Sequence, residues 1–392
     1  MNLRLLEKFI QQGRLTVIGH DGRERTFGEG EPSATWRLNG PSTFMRILRN
    51  PQLNLGETYM DGEWDVGEGT LHDLLTILRL NLEPKVSGRS WLDPLRAVLR
   101  SWNGLAASRR NVSHHYDLDE PLFRACLDTD MHYSCAYFTD PQLSLEDAQA
   151  AKCRHIAAKL NLERGQKVLD IGSGWGSLAM HLAEHHGVTV TGLTLSAEQL
   201  RVAQETARQR GLQGRVEFRL EDYREHAGTY DRIVSVGMFE HVGKPRYPAF
   251  FNKVATSLAT DGVALLHTIA SKAPPEPINP WIRRHIFPGG YIPSLSDIAP
   301  FVERAGLTSA DIEVLRVHYA LTLKAWNERF QNHRQQFVET KGERFCRMWE
   351  FYLVICQTAF EIGDLVVLQW QLANDNRAAP ITRDYLYPSD GG

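Results

Sequence analysis

Long apolar stretches are missing from this chain of 392 residues. No segment approaches the roughly 18 consecutive apolar residues that a membrane-spanning helix requires. The first ten residues, MNLRLLEKFI, also lack the apolar core and the small-residue cleavage site of a signal peptide. We therefore expect a cytoplasmic protein that would reach a membrane only from the inner face.

Cysteine and excess charge are scarce as well. There are five cysteines, an odd number, and no CxxC or Cys/His spacing typical of a zinc site occurs. The 44 basic and 47 acidic residues nearly cancel, leaving a formal net charge of −3. These features predict no disulfide framework, no metal site and no nucleic-acid partner, and they favour a reducing compartment.

The length and the hydrophobic content of 42% favour two domains with a sizeable core. Residues 1–84 alternate short helical and strand patterns without a nucleophile, a ligand cluster or a phosphate loop. This pattern predicts a small α+β domain for lipid docking or scaffolding. We assign residues 85–112 to a basic amphipathic linker and residues 113–392 to a catalytic domain.

The predicted linker combines basic and apolar side chains at helical spacing. Residues 85–110 contain six basic residues against the single acid Asp93, and Trp91 and Trp102 belong to their apolar stripe. A basic amphipathic helix of this kind can lie in the interface of an anionic membrane. The alternative is a helix packed on the next domain or on a second subunit.

Strand and helix patterns alternate from residue 111 onward. The strand-like segments are KVLDIG, VTVTGL, VEFRL, YDRIVSVG and VALLHTIA, and amphipathic helices connect most of them. This order predicts an α/β fold with a doubly wound, mostly parallel sheet. Such sheets bind ligands beyond the carboxyl ends of their strands, so we look for functional residues there.

The glycine-rich segment VLDIGSGWGSLA, residues 168–179, gives the sharpest local signal. A strand ends at Asp170, and three alternating glycines then open a helix, so that a ligand could approach the backbone and the free N–H groups of the helix. The G-x-G-x-G spacing is one residue shorter than the G-x-G-x-x-G of dinucleotide sites. The shortened loop disfavours a nicotinamide dehydrogenase.

Polar residues at the ends of the next two strands fit a nucleoside ligand. The second strand ends without the acid that usually binds ribose hydroxyls, and Thr194 and Gln199 are the polar residues within reach. Asp222 follows the third strand and is placed to accept a hydrogen bond from an adenine amino group. Together with the glycine loop, these residues predict a nucleoside cofactor at one edge of the sheet.

On these and further segments the sequence resembles the cyclopropane fatty acyl phospholipid synthases, relatives of the mycolic acid cyclopropane synthases. The matching segments are YSCAYF (133–138), VLDIGSGWG (168–176), GLTLSAEQ (192–199), LEDYRE (220–225), DRIVSVGMFEHVG (231–243), LLHTIASK (265–272), PWIRRHIFPGG (280–290) and YALTLKAWNERF (319–330). The resemblance implies a class I methyltransferase fold, with a Rossmann-like doubly wound sheet and a smaller N-terminal α+β domain.

The resemblance also implies the cofactors and the site residues. S-adenosylmethionine would be the methyl donor, and a bound bicarbonate would be the catalytic base. The residues expected to contact S-adenosylmethionine are Tyr133, Ser134, Asp170, Gly172, Gly174, Thr194, Gln199, Asp222 and Tyr223. The catalytic residues expected around bicarbonate are Cys135, Glu240, His267, Ile269 and Tyr319.

The implied reaction transfers a methylene group from S-adenosylmethionine to the cis double bond of an unsaturated phospholipid acyl chain. Attack of the π bond on the sulfonium methyl leaves a carbocation, and loss of a proton from the added methyl closes the ring. Such a site needs apolar walls that exclude water, electron-rich groups near the cation and a base; Tyr137 and Phe239 are candidate walls. The substrate implies transient contact with the inner face of the membrane, and the resemblance leaves a homodimer open.

The sequence departs from the family pattern at two places. Ser173 stands where cysteine is common in the glycine loop, and the segment FEIGDLVVLQWQLANDN is unlike that of the better-known members. The second difference leaves the acyl-chain preference and the product open. The main alternative is therefore a fatty acyl C-methyltransferase that gives a methyl- or methylene-branched chain without ring closure. A non-enzymatic lipid carrier would have no use for both the cofactor loop and the polar cluster.

If the predicted linker docks on anionic lipid, replacing Arg96 and Arg100 with glutamate should weaken sedimentation with anionic vesicles several-fold. Added salt should weaken binding of the unchanged protein too, because both changes remove electrostatic attraction. Activity on a detergent-dispersed substrate should survive the double substitution. Vesicle binding that responds to neither change would favour the packed-linker alternative.

Overall fold

The computed structural model describes residues 4–82, 120–275 and 277–387. The chain divides into two compact units, and the unit that contains the N-terminal residues also includes residues 277–288 and 320–364. The second unit contains the rest of the chain. The basic linker and its boundaries at residues 84 and 112 lie outside the described residues, so that division of the chain stays a prediction.

The strands are Arg14–Ile18 (β1), Glu24–Phe27 (β2), Ser33–Leu38 (β3), Trp64–Val66 (β4), Lys167–Ile171 (β5), Thr189–Thr194 (β6), Val216–Leu220 (β7), Tyr230–Val236 (β8), Leu258–Ser271 (β9), Thr308–Leu315 (β10) and Leu365–Ala373 (β11). The helices are Arg4–Phe9 (α1), Thr43–Arg49 (α2), Pro51–Met60 (α3), Leu71–Leu82 (α4), Glu120–Cys126 (α5), Leu145–Lys159 (α6), Ser177–His186 (α7), Ala197–Gln209 (α8), Tyr247–Ser257 (α9), Pro280–His285 (α10), Leu295–Arg304 (α11), His318–Lys341 (α12) and Glu343–Glu361 (α13). No helix of the described residues is both long and apolar enough to span a bilayer.

The N-terminal unit is built on a four-stranded sheet of order β2-β1-β3-β4. Two contacts explain why later segments belong to it. Arg347 on α13 donates to the carbonyls of Tyr59 and Trp64 and to the carboxylate of Asp65, at 2.6–2.7 Å. Gly56 on α3 lies so close to α10 that a Cβ there would be 2.5 Å from the indole nitrogen of Trp281. Neither contact is visible from local sequence patterns.

The second unit contains a seven-stranded sheet of order β10-β11-β9-β8-β5-β6-β7. The neighbouring strands β9, β8, β5, β6 and β7 are all parallel. At the edge beside β9, strands β11 and β10 are added in antiparallel pairing. The predicted strands and helices of residues 145–270 agree with the observed elements within a few residues. The α/β prediction and the smaller N-terminal α+β domain are thereby confirmed.

Both faces of this sheet are covered, as is usual for parallel strands. Val168, Val234 and Leu265 point to one face, where they pack against buried residues of α6, α7 and α8. Side chains two residues apart on a strand share a face. Asp170 and His267 therefore point to the α6 side of the sheet, and this placement determines their neighbours.

Gly176, at the start of α7, should be indispensable for packing as well as for backbone conformation. Its φ is +85°, and a Cβ there would lie 2.5 Å from the ring of Phe218 and 3.0 Å from Cβ of Ala203. Gly214 has a φ of +82° but nothing within 4 Å, so it serves as a matched control. We expect Gly214→Ala to cost about 1–2 kcal/mol through backbone strain. Gly176→Ala should cost about 1–3 kcal/mol more through overpacking.

Urea unfolding of the two variants and the unchanged protein measures both costs. Equal losses for Gly176→Ala and Gly214→Ala would show that the contact with Phe218 imposes no packing constraint.

Candidate active site

A cleft lies at the carboxyl ends of β5, β6 and β8, where the direction of strand succession reverses. Every residue that the sequence suggested as a cofactor contact lines this cleft. These residues are Tyr133, Ser134, Asp170, Gly172, Gly174, Thr194, Gln199, Asp222 and Tyr223. The structure thus brings together residues from four separate segments, while their role in binding stays a prediction.

The glycine loop contributes space more than hydrogen-bond donors. The N–H groups of Gly172 and Ser173 both donate to the carbonyl of Leu193, and that of Gly176 donates to Ser173. A Cβ on Gly174, in contrast, would meet nothing closer than Nε2 of Gln199 at 4.0 Å. These three N–H groups of the loop are therefore used within the protein, while the expectation about the N–H groups of the helix that follows stays a prediction. Gly174, with a φ of +54°, keeps the floor of the cleft open.

Polar side chains between the end of β6 and the start of α8 hydrogen-bond to one another and to the backbone. The Thr194 hydroxyl donates to Oε1 of Gln199 at 3.0 Å, and the Ser196 hydroxyl caps α8 by accepting from the Gln199 N–H at 3.2 Å. This arrangement directs Nε2 of Gln199 toward the space above Gly174.

Asp222 is held by a cation that the sequence analysis missed. Nε and a terminal nitrogen of Arg224 donate to its two carboxylate oxygens at 2.8 and 2.6 Å. Oδ1 also accepts from the Arg224 N–H at 3.0 Å. The contact with an adenine amino group stays a prediction. The spacing of an acid and an arginine two residues apart was the only available signal.

Asp170 is buried at the inner end of the cleft, and its Oδ2 atom has no hydrogen-bond partner among the described residues. Burial raises the pKa of Asp170 to about 7, although the ammonium of Lys152 acts in the opposite direction. A buried carboxylate oxygen without a donor is costly, so this atom is suited to a cationic or hydrogen-bonding ligand.

His132 belongs to the cleft wall and is hydrogen-bonded to two other buried side chains. His132 Nδ1 lies 2.7 Å from Oδ2 of Asp128, and its Nε2 lies 3.2 Å from Sγ of Cys153. Burial lowers the pKa of His132, but Cys153 and Asp128 outweigh that effect and raise it to about 9. Cys153 is fully buried, so this group rigidifies the wall and does not offer a nucleophile.

Glu240 lies in a short 3-10 helix, Phe239–His241, directly after β8. Its Oε1 accepts a hydrogen bond from the Ile269 N–H at 2.6 Å, whereas its Oε2 is buried without a partner among the described residues. Burial raises the pKa of Glu240 to about 7. Glu240 and Ile269, two predicted catalytic residues, are thus joined directly, and one carboxyl oxygen stays available.

His267 lies inside β9 and not at its carboxyl end, where functional residues of a parallel sheet were expected. It pairs with Val236, the last residue of β8, but β9 continues to Ser271 because it also pairs with β11. Nε2 of Gln369 on β11 lies 3.2 Å from Nδ1 of His267. Burial lowers the pKa of His267 to about 3, so the imidazole is neutral. Gln369 belongs to the C-terminal segment to which the sequence analysis assigned no role.

Cys135 and Tyr319 are both buried. The helix that carries Tyr319 is tied to the YSCAYF segment by its neighbour His318, whose Nδ1 accepts from the Phe138 N–H at 3.0 Å. The ring of His318 also stacks on Tyr137 at 4.9 Å. The five predicted catalytic residues are not among the residues that line the cofactor cleft. Their assembly around one anion stays a prediction.

The two candidate aromatic walls have other surroundings than expected. Phe239 is fully buried in the core, stacked on Tyr247 at 4.3 Å. Tyr137 lies between the rings of His155 and His318. The hydroxyl of Tyr247, close in sequence to Glu240, is buried without a partner among the described residues, and no local pattern had distinguished it.

Within the described residues, no group of His, Cys, Asp and Glu is arranged to hold a metal ion.

Comparison with known proteins identifies strong similarities over both parts of the chain. The family described as mycolic acid cyclopropane synthetase matches residues 104–370, and a family described as a domain of unknown function matches residues 5–87. Cyclopropane-fatty-acyl-phospholipid synthase of Escherichia coli (strain K12) is 41% identical over 346 residues, which are 88% of each chain. Tuberculostearic acid methyltransferase UfaA1 of Mycobacterium tuberculosis is 35% identical and covers 95% of this chain and 90% of its own.

Among solved structures, mycolic acid cyclopropane synthase CmaA1 complexed with SAH and CTAB matches with a TM-score of 0.64. It is 35% identical and covers 67% of this chain and 97% of its own.

Proposed function

The chain belongs to the mycolic acid cyclopropane synthetase family, and we propose that it converts the cis double bond of an unsaturated phospholipid acyl chain into a cyclopropane ring. It is an enzyme of the S-adenosylmethionine-dependent methyltransferase type. The observation that carries most weight is structural: nine residues from four segments, each expected at a cofactor contact, line one cleft at the switch point of the sheet.

Two features of the cleft fit S-adenosylmethionine. The open space over Gly174 would accommodate the methionine part of the cofactor close to the backbone. The unpartnered Oδ2 of Asp170 would accept from its α-ammonium group. Gln199, Asp222 and Tyr223 would hold the nucleoside part on the other side of the loop.

The group around Glu240 fits a small oxyanion such as bicarbonate. Glu240 has one buried oxygen without a partner, and its pKa near 7 lets the carboxyl take up and release a proton in the neutral range. The imidazole of His267 is neutral because burial lowers its pKa, so it adds no net charge to the site. Its contact with Gln369 fixes the orientation of the ring. When bound, S-adenosylmethionine supplies the electrophilic methyl group and bicarbonate supplies a base for the proton that the added methyl loses.

The residues of the chain would then have three tasks. The cleft residues hold the cofactor with its sulfonium toward the acyl chain. Buried aromatic and aliphatic side chains exclude water, which would otherwise quench a carbocation on the lipid. Glu240, supported by the Ile269 N–H, holds the proton that must leave the site.

The lipid substrate also bears on where the protein acts. We infer that it is cytoplasmic and makes transient contact with the inner face of the membrane through the N-terminal domain and the basic linker. A homodimer would be one way to present two such surfaces together. The family's substrates and the composition of residues 85–110 support this proposal.

A fatty acyl C-methyltransferase is the second candidate function. Two relatives favour it: the tuberculostearic acid methyltransferase already described, and a probable fatty acid methyltransferase of Pseudomonas putida, 32% identical over 94% of this chain. Both activities share methyl transfer to the double bond and differ in the fate of the cation.

Incubation with isotope-labelled S-adenosylmethionine and vesicles of unsaturated phospholipid, followed by mass analysis of the acyl chains, tests the proposal. We expect a gain of one CH₂ in a saturated, ring-containing chain. A methyl- or methylene-branched product would favour the second candidate, and absence of label in lipid would contradict both. Gly174→Val is the matched inactive control, because a β-branched side chain would fill the open floor of the cleft.

Glu240→Gln tests whether this carboxyl supports proton removal by the proposed bicarbonate base. The amide keeps the size of the side chain but cannot take up and release a proton. We therefore expect turnover to fall by roughly 10²-fold or more, with S-adenosylmethionine affinity nearly unchanged. Calorimetry for binding and labelled-lipid formation for turnover separate the two effects. Turnover within a few-fold of the unchanged enzyme would place the base elsewhere, and loss of binding would give Glu240 a cofactor or structural role.

A further inference from the structure

The inner face of α6 carries three buried polar residues, Gln149, Lys152 and Lys159, beside the apolar Ile156. Gln149, Lys152, Ile156 and Lys159 recur every three or four positions and so share one face of the helix. The side chains of Lys152 and Lys159 are each 1% exposed. An ammonium group removed from water is costly unless it finds a charged or well-aligned acceptor. The partners of these two lysines therefore decide what each of them does.

Lys159 has such a partner within the protein. Its Nζ donates to Oε2 of Glu313 at 2.5 Å, and His155 binds the same oxygen. Burial raises the pKa of Glu313, but these hydrogen bonds outweigh that effect and lower it to about 2. Lys159 is therefore paired with a carboxylate and belongs to the packing between α6 and β10.

Lys152 is equally buried but has no carboxylate partner among the residues that the structure describes. Its Nζ donates to the hydroxyl of Ser134 at 3.1 Å, which is its single hydrogen bond in the described part of the chain. Both residues line the cofactor cleft. An ammonium has three N–H donors, so two of them stay available toward the cleft.

Asp170 lines the same cleft and has the complementary requirement. Its carboxylate is buried, Oδ2 has no donor, and no ion pair joins it to Lys152 in the described residues. The cleft thus presents an ammonium and a carboxylate, each with unused hydrogen-bonding capacity. An α-amino acid carries the reverse pair, an α-carboxylate and an α-ammonium, separated by one carbon.

We propose that Lys152, together with the Ser134 hydroxyl, binds the α-carboxylate of the methionine part of S-adenosylmethionine. This inference rests on the proposed function and adds a specificity-determining residue to it. Lys152 supplies a charge-assisted hydrogen bond, and Ser134, which accepts from Lys152, donates its own proton to the second carboxylate oxygen. The bound carboxylate would give the buried ammonium an anion that the described residues do not supply.

The proposal predicts that the cleft distinguishes S-adenosylmethionine from decarboxylated S-adenosylmethionine, which has the same sulfonium and nucleoside but no carboxylate. Calorimetry with the two ligands, in the absence of lipid, compares the unchanged protein with Lys152→Met and Lys159→Met. Methionine is close to lysine in length and apolar, so it should be tolerated in the helix–sheet interface. Lys159→Met removes an equally buried lysine from the same helix face, outside the cleft.

We expect the unchanged protein to prefer S-adenosylmethionine. Lys152→Met should bind S-adenosylmethionine about 10–100-fold more weakly, the usual scale for a lost charge-assisted hydrogen bond, and bind the decarboxylated ligand within about threefold of the unchanged protein. Lys159→Met should leave both affinities within about threefold. Equal weakening of both ligands by Lys152→Met would mean a structural role, and unchanged S-adenosylmethionine affinity would remove Lys152 from the site. Either result overturns the proposal.

The unchanged protein decides the remaining outcomes. If it binds S-adenosylmethionine but does not prefer it over the decarboxylated ligand, the Lys152 proposal fails while the proposed function stands. If it binds neither ligand, both fail. Lys152→Gln, which keeps hydrogen-bond donors but not the charge, replaces Lys152→Met should that variant not fold, and the same selective weakening is expected of it.

Discussion

Burial of charge between α6 and the sheet is the constraint on which the rest of the site depends. A helix that covers a parallel sheet normally presents apolar side chains to it, and most of α6 does so. Lys152 and Lys159 break that rule, and each must be compensated where it stands. Pairing with Glu313 ties the helix to the edge of the sheet. Lys152 has no such partner among the described residues, so this end of the interface is suited to a ligand.

Glu240 and His267 are also buried ionisable groups, but they meet the cost of burial in a different way. Burial raises the pKa of Glu240 and lowers that of His267, so dehydration pushes both groups toward their neutral forms. The anion site that we propose for these two groups would therefore hold little fixed charge, so it could accept an anion without strong repulsion and would not attract water as a fixed ion pair would. That property suits a reaction whose intermediate is a carbocation on a lipid chain.

The cleft was predictable from the sequence because it follows from local rules. The ends of successive parallel strands meet at one edge of the sheet, so Asp170, Thr194 and Asp222 could be brought together from strand patterns alone. The resemblance added residues such as Ser134 that no strand pattern places. The fold class followed from the same alternation of strands and helices.

What the sequence could not provide are the contacts between segments far apart in the chain. The bond from the Ile269 N–H to Glu240 and the contact of Gln369 with His267 depend on strand register. The proposed role of Lys152 depends on which face of α6 turns toward the sheet, and a buried lysine on that face is unexpected because lysine is rarely buried. The inclusion of residues 277–288 and 320–364 in the N-terminal unit depends on packing that local patterns do not encode.

The pairing of β11 with β9 has a consequence for how the enzyme is made. Gln369 and His267 are register partners although about a hundred positions separate them, and residues 320–364 of the other unit intervene. A nascent chain therefore leaves the ribosome with β9 lacking its neighbour until almost the whole polypeptide has been translated. Since contacts of high sequence separation form slowly, His267 should acquire its native surroundings among the last events of folding. A truncated translation product would retain the glycine loop but leave the edge of β9 exposed beside His267.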